Sequence, residues 1–204
     1  ESYKKEKYLA FNSNISMPAI GETFSAEMAI SPIESIDILP YERDHIIETH
    51  KDQEYLNWRY NNHPFFKYSW SAVKSNSKLV AWFIWREVQI HGVSLCRIVD
   101  FDIRSYDQES IKYIDALISE VKSHINSINC HYIDFYTTNR FLSEKLMHNG
   151  FKDNQSFNFP NLIDPIVTNR IDLNGEYYIN VEGNKCYFVN LCRGDGDQDR
   201  PNES

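Results

Sequence analysis

Two carboxylates at alternate positions of one predicted strand are the strongest candidates for chemistry in this chain. The strand is "SLCRIVDFDI", residues 94–103, and the carboxylates are Asp100 and Asp102. Side chains alternate between the two faces of a strand, so both should lie on the same face. A carboxylate held there could take a proton from an attacking amine, directly or through water. Alternatively, one of them forms an ion pair with Arg97 or Arg104 at the rim of the sheet.

Polar side chains also end the next predicted strand, "HYIDFYTT", residues 131–138. Tyr136 and Thr138 could face the same cleft as the two carboxylates. Large aromatic residues form a separate set, which consists of Trp58, Tyr60, Trp70, Trp82 and Trp85. Their faces could stack on a sugar, but aromatic residues on alternating strands are more often part of the core. We therefore interpret the aromatic set as core.

The sequence predicts no metal site. The histidines lack the H-E-x-x-H spacing of a zinc helix, and the cysteines lack any C-x-x-C pair. Residues 195–199, "DGDQD", resemble the start of a calcium loop, but Arg200 stands at the sixth position, where such a loop needs glycine. Unpaired thiols without metal spacing are typical of a reducing compartment. We therefore expect reduced cysteines and a cytoplasmic location.

Composition excludes two kinds of partner. The chain has 204 residues and a net charge of −8, whereas proteins that bind nucleic acid concentrate Lys and Arg on one face. The longest apolar run, residues 79–85, is far shorter than the roughly 20 residues of a membrane-spanning helix. We expect neither a nucleic-acid partner nor a membrane.

The elements that must position the candidate groups follow from periodicity and turn residues. Residues 1–32 are expected to form an irregular N-terminal arm or a remnant of preceding structure. From residue 33 onward the predicted elements are a strand (33–39), a helix (44–61) restarted by Asp52 as a cap, three antiparallel strands (68–74, 79–85 and 94–103), a long helix (107–128), a strand (131–138), a helix that begins at Asn139, and two strands (151–159 and 187–192). The long helix is the clearest of these elements, because its apolar residues recur at the 3.6-residue period.

This order predicts one α/β domain, residues 33–204, with a mixed, mostly antiparallel central sheet flanked by helices. The three consecutive strands should form an antiparallel meander. The strand after the long helix should lie parallel to the last strand of that meander. Gly150 should end the second helix with a positive φ, since glycine adopts that conformation without steric cost.

The segment "NRFLSEKLMHNGF", from Asn139 to Phe151, resembles the pattern N-x-x-A-x-x-x-Y-x-x-x-G-F of the GNAT acyltransferase superfamily. Together with the order of elements, this resemblance implies a GNAT-like fold, in which the strands at 94–103 and 131–138 diverge at their C-terminal ends. It implies an acyl-CoA such as acetyl-CoA as donor, and an amine or hydroxyl acceptor. It also implies site roles: Asp100, Asp102 and Tyr136 would be catalytic, and Arg104, Ser105 and Asn139 would bind the cofactor.

A second resemblance is narrower. "YLNWRYNNHP" at 55–64 and "GDGDQDRPN" at 194–202 look like segments of two-module GNAT-related proteins. This likeness implies that the chain is similar to the C-terminal half of such a protein, with a preceding GNAT-like domain as its partner. A sugar of a surface glycan as the acceptor rests on the same resemblance.

Three positions depart from the GNAT pattern. In the loop "RSYDQES", which should cradle the pyrophosphate of coenzyme A, Asp107 and Glu109 replace small residues, and two carboxylates would repel the phosphates. Leu146 stands where many GNAT enzymes carry a Tyr that protonates the leaving thiolate. The isolated chain should therefore bind acetyl-CoA weakly or not at all.

Three hypotheses stay open. The first is a GNAT-type acyltransferase, and the second is a catalytically silent GNAT-like module that binds an acceptor or a partner domain. The third is an aminoacyl transferase of the Fem type, which the net charge of −8 disfavours because its tRNA donor calls for a basic surface.

Overall fold

In the computed structural model of the chain, the described residues are 7–12, 27–29, 46–75, 78–90, 93–105, 108–128, 130–153, 188–190 and 192. They form the predicted α/β class, with a mixed sheet and helices. The main sheet of the described part runs in the spatial order β2 (Glu27–Ala29), β4 (Ser69–Ser75), β5 (Lys78–Ile90), β6 (Val93–Ile103), β7 (Tyr132–Thr137), β1 (Lys7–Asn12) and β8 (Lys152–Asp153). A separate parallel pair consists of β3 (Ile46–Glu48) and β9 (Phe188–Asn190).

The centre of the sheet matches the sequence-based prediction. Strands β4, β5 and β6 are antiparallel neighbours, and β7 lies parallel to β6 in the same sheet. Pairing between β6 and β7 runs from Leu95 opposite Tyr132 to Ile98 opposite Phe135 and then stops, although β6 continues to Ile103. We call the stretch beyond Ile98 and Phe135 the strand gap.

A β-bulge explains where the strand gap begins. Ile84 of β5 lies opposite Asp100, whereas the next residue, Trp85, lies opposite Ile98, so Val99 is the extra residue of β6. Such an insertion bends the bulged strand and increases its local twist. The bend turns β6 away from β7 immediately after their last paired residues.

One face of the sheet carries an apolar core beneath two helices, α2 (Gln108–Ser127) and α3 (Arg140–His148). The predicted stripe of α2 is buried at Ile114, Leu117, Ile118, Val121 and Ile125. Burying each such side chain contributes roughly 1.5–3 kcal/mol relative to leaving it in water.

The end of α3 is stabilised by backbone hydrogen bonds around Gly150. The φ angle of Gly150 is 88°, and the helix ends two residues earlier at His148, as predicted. The Phe151 amide donates to the Leu146 carbonyl at 3.0 Å, and the Gly150 amide donates to the Met147 carbonyl at 3.0 Å. This is the Schellman arrangement, in which a glycine in the left-handed region lets the chain leave the helix.

The opposite face is covered by a short helix, α1 (Gln53–Leu56), which continues as a π-helical turn, Asn57–Asn61. Asp52 caps α1 as predicted, because its carboxylate accepts a hydrogen bond from the Tyr55 amide at 2.8 Å. The aromatic set is buried in agreement with a core role, at Tyr60, Trp70 and Trp82 on this face and at Trp85 in the core beneath α2. The prediction is wrong for Trp58, which is 67% exposed.

Two other expectations are corrected by the described residues. Residues 46–48 are strand β3 rather than part of a helix, because the β-branched pair Ile46–Ile47 favours strand and the Asp52 cap starts the helix only at Gln53. The N-terminal arm is not irregular throughout, since β1 pairs antiparallel with β7 and β2 pairs antiparallel with β4. The predicted strand at 33–39 and most of the one at 151–159 lie outside the described residues.

Among the described residues, no helix combines the length and the apolar character that crossing a bilayer requires.

Candidate functional site

The two predicted carboxylates lie in a buried cluster of charged and hydroxyl groups between β6 and the segment that carries α1. We call it the charged cluster, and its members are Lys51, Tyr60, Asp100, Asp102 and Arg104. All are at most 2% exposed. The bulge at Val99 shifts the alternation of side chains along β6. Asp100 and Asp102 then both face α1, and their shared face was predicted from their alternate spacing.

Asp100 is bonded on both of its carboxylate oxygens. Lys51 Nζ forms an ion pair with Asp100 Oδ1, and the Tyr60 hydroxyl donates to Asp100 Oδ2 at 2.6 Å. Removing a carboxylate and an ammonium from water costs several kcal/mol for each ion, which close contact and further hydrogen bonds must offset. Asp100 therefore holds the segment of α1 against β6, and it would have to give up Lys51 or Tyr60 before serving as a base.

Asp102 and Arg104 form the second half of the charged cluster. Arg104 Nη1 lies 3.4 Å from Asp102 Oδ2, which is one of the two pairings that the sequence left open. Arg104 Nη2 also donates to the Lys51 carbonyl at 3.2 Å, and the guanidinium lies 4.7 Å from the centre of the Trp82 ring. The guanidinium is thus directed into the cluster, where it links β6 to the chain that precedes α1.

Arg97 does not pair with Asp100 or Asp102, contrary to one predicted alternative. Its guanidinium binds Asp134 of β7 in a bidentate manner: Nε lies 3.1 and 3.0 Å from the two carboxylate oxygens, and Nη2 lies 2.8 Å from Oδ2. Arg97 and Asp134 stand opposite each other in the last paired stretch of β6 and β7. This buried pair fastens the two strands just before the strand gap.

Side chains of the charged cluster also form hydrogen bonds to backbone groups of β6 that face the strand gap. The Arg104 amide donates to the Val80 carbonyl of β5 at 2.9 Å, so the backbone groups of Phe101 and Ile103 point to the opposite edge, toward β7. The Phe101 amide donates to Asp100 Oδ1 at 2.7 Å, and the Ile103 amide donates to Asp102 Oδ1 at 2.7 Å. Lys51 Nζ donates to the Phe101 carbonyl at 3.1 Å. The two amides and the Phe101 carbonyl, which have no partner on β7, are therefore hydrogen-bonded to side chains instead.

Tyr136 is a predicted catalytic residue whose hydroxyl does not take part in the charged cluster. It lies on β7 one residue beyond the last pair with β6, and it is 4% exposed. Its hydroxyl is buried and makes no hydrogen bond to the described residues. A buried hydroxyl without a partner costs about 1–3 kcal/mol, which makes it a candidate contact for a ligand.

The three predicted cofactor-binding residues are at different places. Arg104 belongs to the charged cluster, and Ser105 follows it two residues after the end of β6. Asn139 caps α3, because its side-chain oxygen accepts a hydrogen bond from the Leu142 amide at 2.9 Å. Of the two acidic residues in the predicted phosphate loop, Asp107 lies outside the described residues, as does the side chain of Glu109.

Sequence reasoning missed Lys51 and assigned Tyr60 to the core alone. Tyr60 is indeed buried among aromatic rings, with Tyr68 at 5.1 Å between ring centres, but its hydroxyl binds Asp100. Lys51 is 49 residues away from Asp100 in the chain, and a single lysine before a helix cap carries no local signal of burial.

The described part of the chain brings no three His, Cys, Asp or Glu side chains together as metal ligands. The described cysteines, Cys96, Cys130 and Cys192, are reduced and buried. Burial raises the pKa of the Cys96 thiol well above its usual value, and burial also raises that of Cys130. Cys96 and Cys130 are therefore poor nucleophiles, because the thiolate is the nucleophilic form.

Comparison with protein-family models, with curated proteins and with solved structures found no match for this chain.

Proposed function

We propose that this chain is a GNAT-like acyltransferase module, which uses an acyl-CoA, with acetyl-CoA as the simplest case, as the acyl donor. The acceptor would be an amine or hydroxyl of a small molecule or sugar. One observation carries the proposal: two parallel strands, β6 and β7, stop pairing at a bulge, after which β6 continues to Ile103 and β7 to Thr137, where Cys192 forms an isolated bridge. The strand gap is where a thioester chain would lie, at the carboxyl ends of parallel strands.

The proposed reaction is a direct transfer. The acceptor nitrogen or oxygen attacks the thioester carbonyl, the carbon–sulfur bond breaks, and the thiolate leaves with the bonding electron pair and then takes a proton. The Tyr136 hydroxyl, which has no hydrogen-bond partner among the described residues, would donate to the carbonyl oxygen or to the leaving sulfur. Asp100 or Asp102 would take the proton of the acceptor only after exchanging a contact with Lys51, Tyr60 or Arg104.

A second candidate, the catalytically silent module, is favoured by a different observation. A ligand in the strand gap would be expected to bond to the backbone edge of β6, but Asp100, Asp102 and Lys51 already cap that edge at Phe101 and Ile103. In this case the module would bind an acceptor or steady a preceding GNAT-like domain that holds the working site. The charged cluster would then be a structural lock between α1 and β6.

Thiol release distinguishes the two candidates. The purified chain is incubated with acetyl-CoA and a panel of amines, amino sugars and neutral sugars, and free coenzyme A is measured with a thiol reagent. Acyl transfer predicts acceptor-dependent release that Tyr136→Phe lowers by about 10²-fold or more. The matched control is Tyr132→Phe, a phenol at the start of the same strand and away from the strand gap. Release that never exceeds the rate without protein would leave the silent module as the function.

A further inference from the structure

Trp58 is an aromatic residue placed where it contributes little to the fold. The chain has four tryptophans, and the other three are at most 1% exposed, whereas Trp58 is 67% exposed. The π-helical turn explains this orientation, because it directs Tyr60 inward to Asp100 while Trp58, two residues earlier, stays in solvent. The Tyr55 ring supports the indole from the side, with 6.1 Å between ring centres and 56° between the planes.

The indole borders an open pocket of about 640 Å³. We call it the Trp58 pocket, and its lining residues are Gln53, Glu54, Asn57, Trp58, Asn62 and Pro64. One flat aromatic face is therefore surrounded by three amide side chains and one carboxylate. The Asn61 amide donates to Asn57 Oδ1 at 2.6 Å, which orients the Asn57 side chain so that its own NH₂ can donate to a ligand.

The chain on the far side of this pocket is ordered by His63. Its Nδ1 accepts hydrogen bonds from the Phe65 amide at 3.2 Å and the Phe66 amide at 3.0 Å. The imidazole also stacks on the Phe66 ring, with 5.1 Å between centres and 13° between planes. Pro64, which lines the pocket, thus lies between a helical turn and a loop that His63 holds by hydrogen bonds.

We propose that the Trp58 pocket binds a carbohydrate. A pyranose ring presents a face of C–H bonds that packs on an indole, and its rim of hydroxyls donates to and accepts from Asn, Gln and Glu side chains. The lining contains one negative and no positive side chain, so a phosphate or another anion would be repelled. The core of a protein interface would instead be richer in aromatic residues and depleted of Glu.

This inference goes beyond acyl transfer, because carbohydrate binding needs no acyl donor. If the proposed function holds, the inference also identifies the acyl acceptor as a carbohydrate. The two can fail separately: sugar binding is measured without acetyl-CoA, and thiol release is measured with acceptors of several classes.

The experiment uses the fluorescence of the intact chain and a panel of trisaccharides. Since Trp58 is the exposed tryptophan, acrylamide quenches mainly its emission. Maltotriose, cellotriose and chitotriose are added at millimolar concentration, and we expect at least one of them to protect Trp58 from quenching. Saturation-transfer NMR then gives the affinity of the protecting sugar. Trp58→Ala should weaken binding about tenfold, which corresponds to about 1.4 kcal/mol, because it removes the flat apolar surface on which the sugar would stack.

Phe65→Ala is the matched control, because Phe65 is also an exposed aromatic residue, at 77%, but does not line the Trp58 pocket. It should leave the affinity unchanged, and Trp58→Phe should retain part of it. If Trp58→Ala does not fold, Asn62→Ala replaces it and should weaken binding as well. The proposal is overturned by a panel that gives no protection, by equal losses in Trp58→Ala and Phe65→Ala, or by self-association that buries Trp58.

Discussion

The two faces of the sheet differ in the side chains that they bury. The face under α2 and α3 is an apolar core, in which regularly spaced aliphatic side chains pack on Phe83, Phe101 and Phe135. The face under α1 combines a second apolar cluster with the buried charges of Lys51, Asp100, Asp102 and Arg104. The first face thus resembles an ordinary helix-on-sheet layer, and the second carries ionised groups that cost energy to bury.

This difference separates scaffold from candidate site. Burying apolar side chains is favourable by itself, so the face under α2 and α3 requires no further explanation. A buried ion pair is often no more stabilising than well-packed apolar residues of the same volume, so the charged cluster is better explained by fixing one arrangement of α1 on β6. The strand gap, its capped backbone edge and Tyr136 all belong to this second face or to its border.

The largest expected effect comes from breaking one buried ion pair. Lys51→Met leaves Asp100 charged and fully buried without its cation, and we expect a loss of about 3–5 kcal/mol in the free energy of unfolding. The matched control is Lys145→Met, since Lys145 pairs with Asp115 at 3.3 Å on the other face, where both side chains are partly exposed. That change should cost less than about 1 kcal/mol.

Urea unfolding of both variants provides the measurement. Asp100→Asn added to Lys51→Met should recover part of the loss, because the uncompensated charge disappears. Equal losses for Lys51→Met and Lys145→Met would mean that the two faces do not differ as described.

The next loss of stability is expected on the face under α2 and α3. Gly150→Val should cost about 1–2 kcal/mol, because a β-branched side chain resists the positive φ that ends α3. Gly150→Asn is the control, since Asn tolerates the left-handed region better, and its loss should be smaller. A thermal melt of Gly150→Val at the wild-type temperature would show that the junction after α3 does not need this conformation.

Glu120 of α2 offers a pH-dependent test. Burial raises the pKa of this carboxyl from 4.5 to about 7, and its Oε2 makes no hydrogen bond to the described residues. Between these values the native state holds a proton that the unfolded state releases, so stability falls as the pH rises through this window. Glu120→Gln removes this dependence and should raise the free energy of unfolding at pH 8 by on the order of 1 kcal/mol, allowing for partial solvent screening.

Melting curves of the wild-type chain and Glu120→Gln at pH 4 and pH 8 check this prediction. The two proteins should differ little at pH 4, where the carboxyl is largely protonated in either state. A gain of the same size at both values would contradict the assigned titration.

The last comparison is between two buried phenols, and one of them, Tyr136, should give the smallest change in stability of all. Tyr60→Phe removes a hydrogen bond to the charged Asp100 and should cost roughly 1.5–3 kcal/mol, whereas Tyr136→Phe removes a hydroxyl that has no partner among the described residues. We expect Tyr136→Phe to be neutral or to gain up to about 1 kcal/mol in urea unfolding. A clear loss would show that the Tyr136 hydroxyl is already bonded within the chain.

The face under α2 and α3 could be predicted because its signals are local. The 3.6-residue stripe of α2, the alternation in β4 and the Asn-Gly end of α3 each lie within a short stretch of sequence. The antiparallel meander and the parallel pairing of β7 with β6 followed from the order of these elements.

The arrangement of the face under α1 could be predicted only in part. The shared orientation of Asp100 and Asp102 follows from their spacing, but the choice of Lys51 and Arg104 as their partners depends on contacts between distant segments. The same is true of Arg97 with Asp134, which face each other only because β6 and β7 pair in that register. Strands β1, β2 and β3 were missed because β2 and β3 have only three residues each, and the place of β1 between β7 and β8 depends on contacts with distant segments.

The most direct test of the central proposal, that the strand gap is an acyl-donor site, is calorimetric titration with acetyl-CoA at low salt. We expect weak binding by the unmodified chain, because Asp107 and Glu109 place negative charge in the predicted phosphate loop. Replacing both by glycine should tighten binding by about tenfold or more, with a larger gain at low ionic strength, since each like-charge contact costs roughly 1 kcal/mol. Tyr136→Phe in that background should weaken it again. If the double-glycine variant also shows no binding, the strand gap is not a donor site. Tight binding by the unmodified chain would instead contradict the role assigned to the acidic loop.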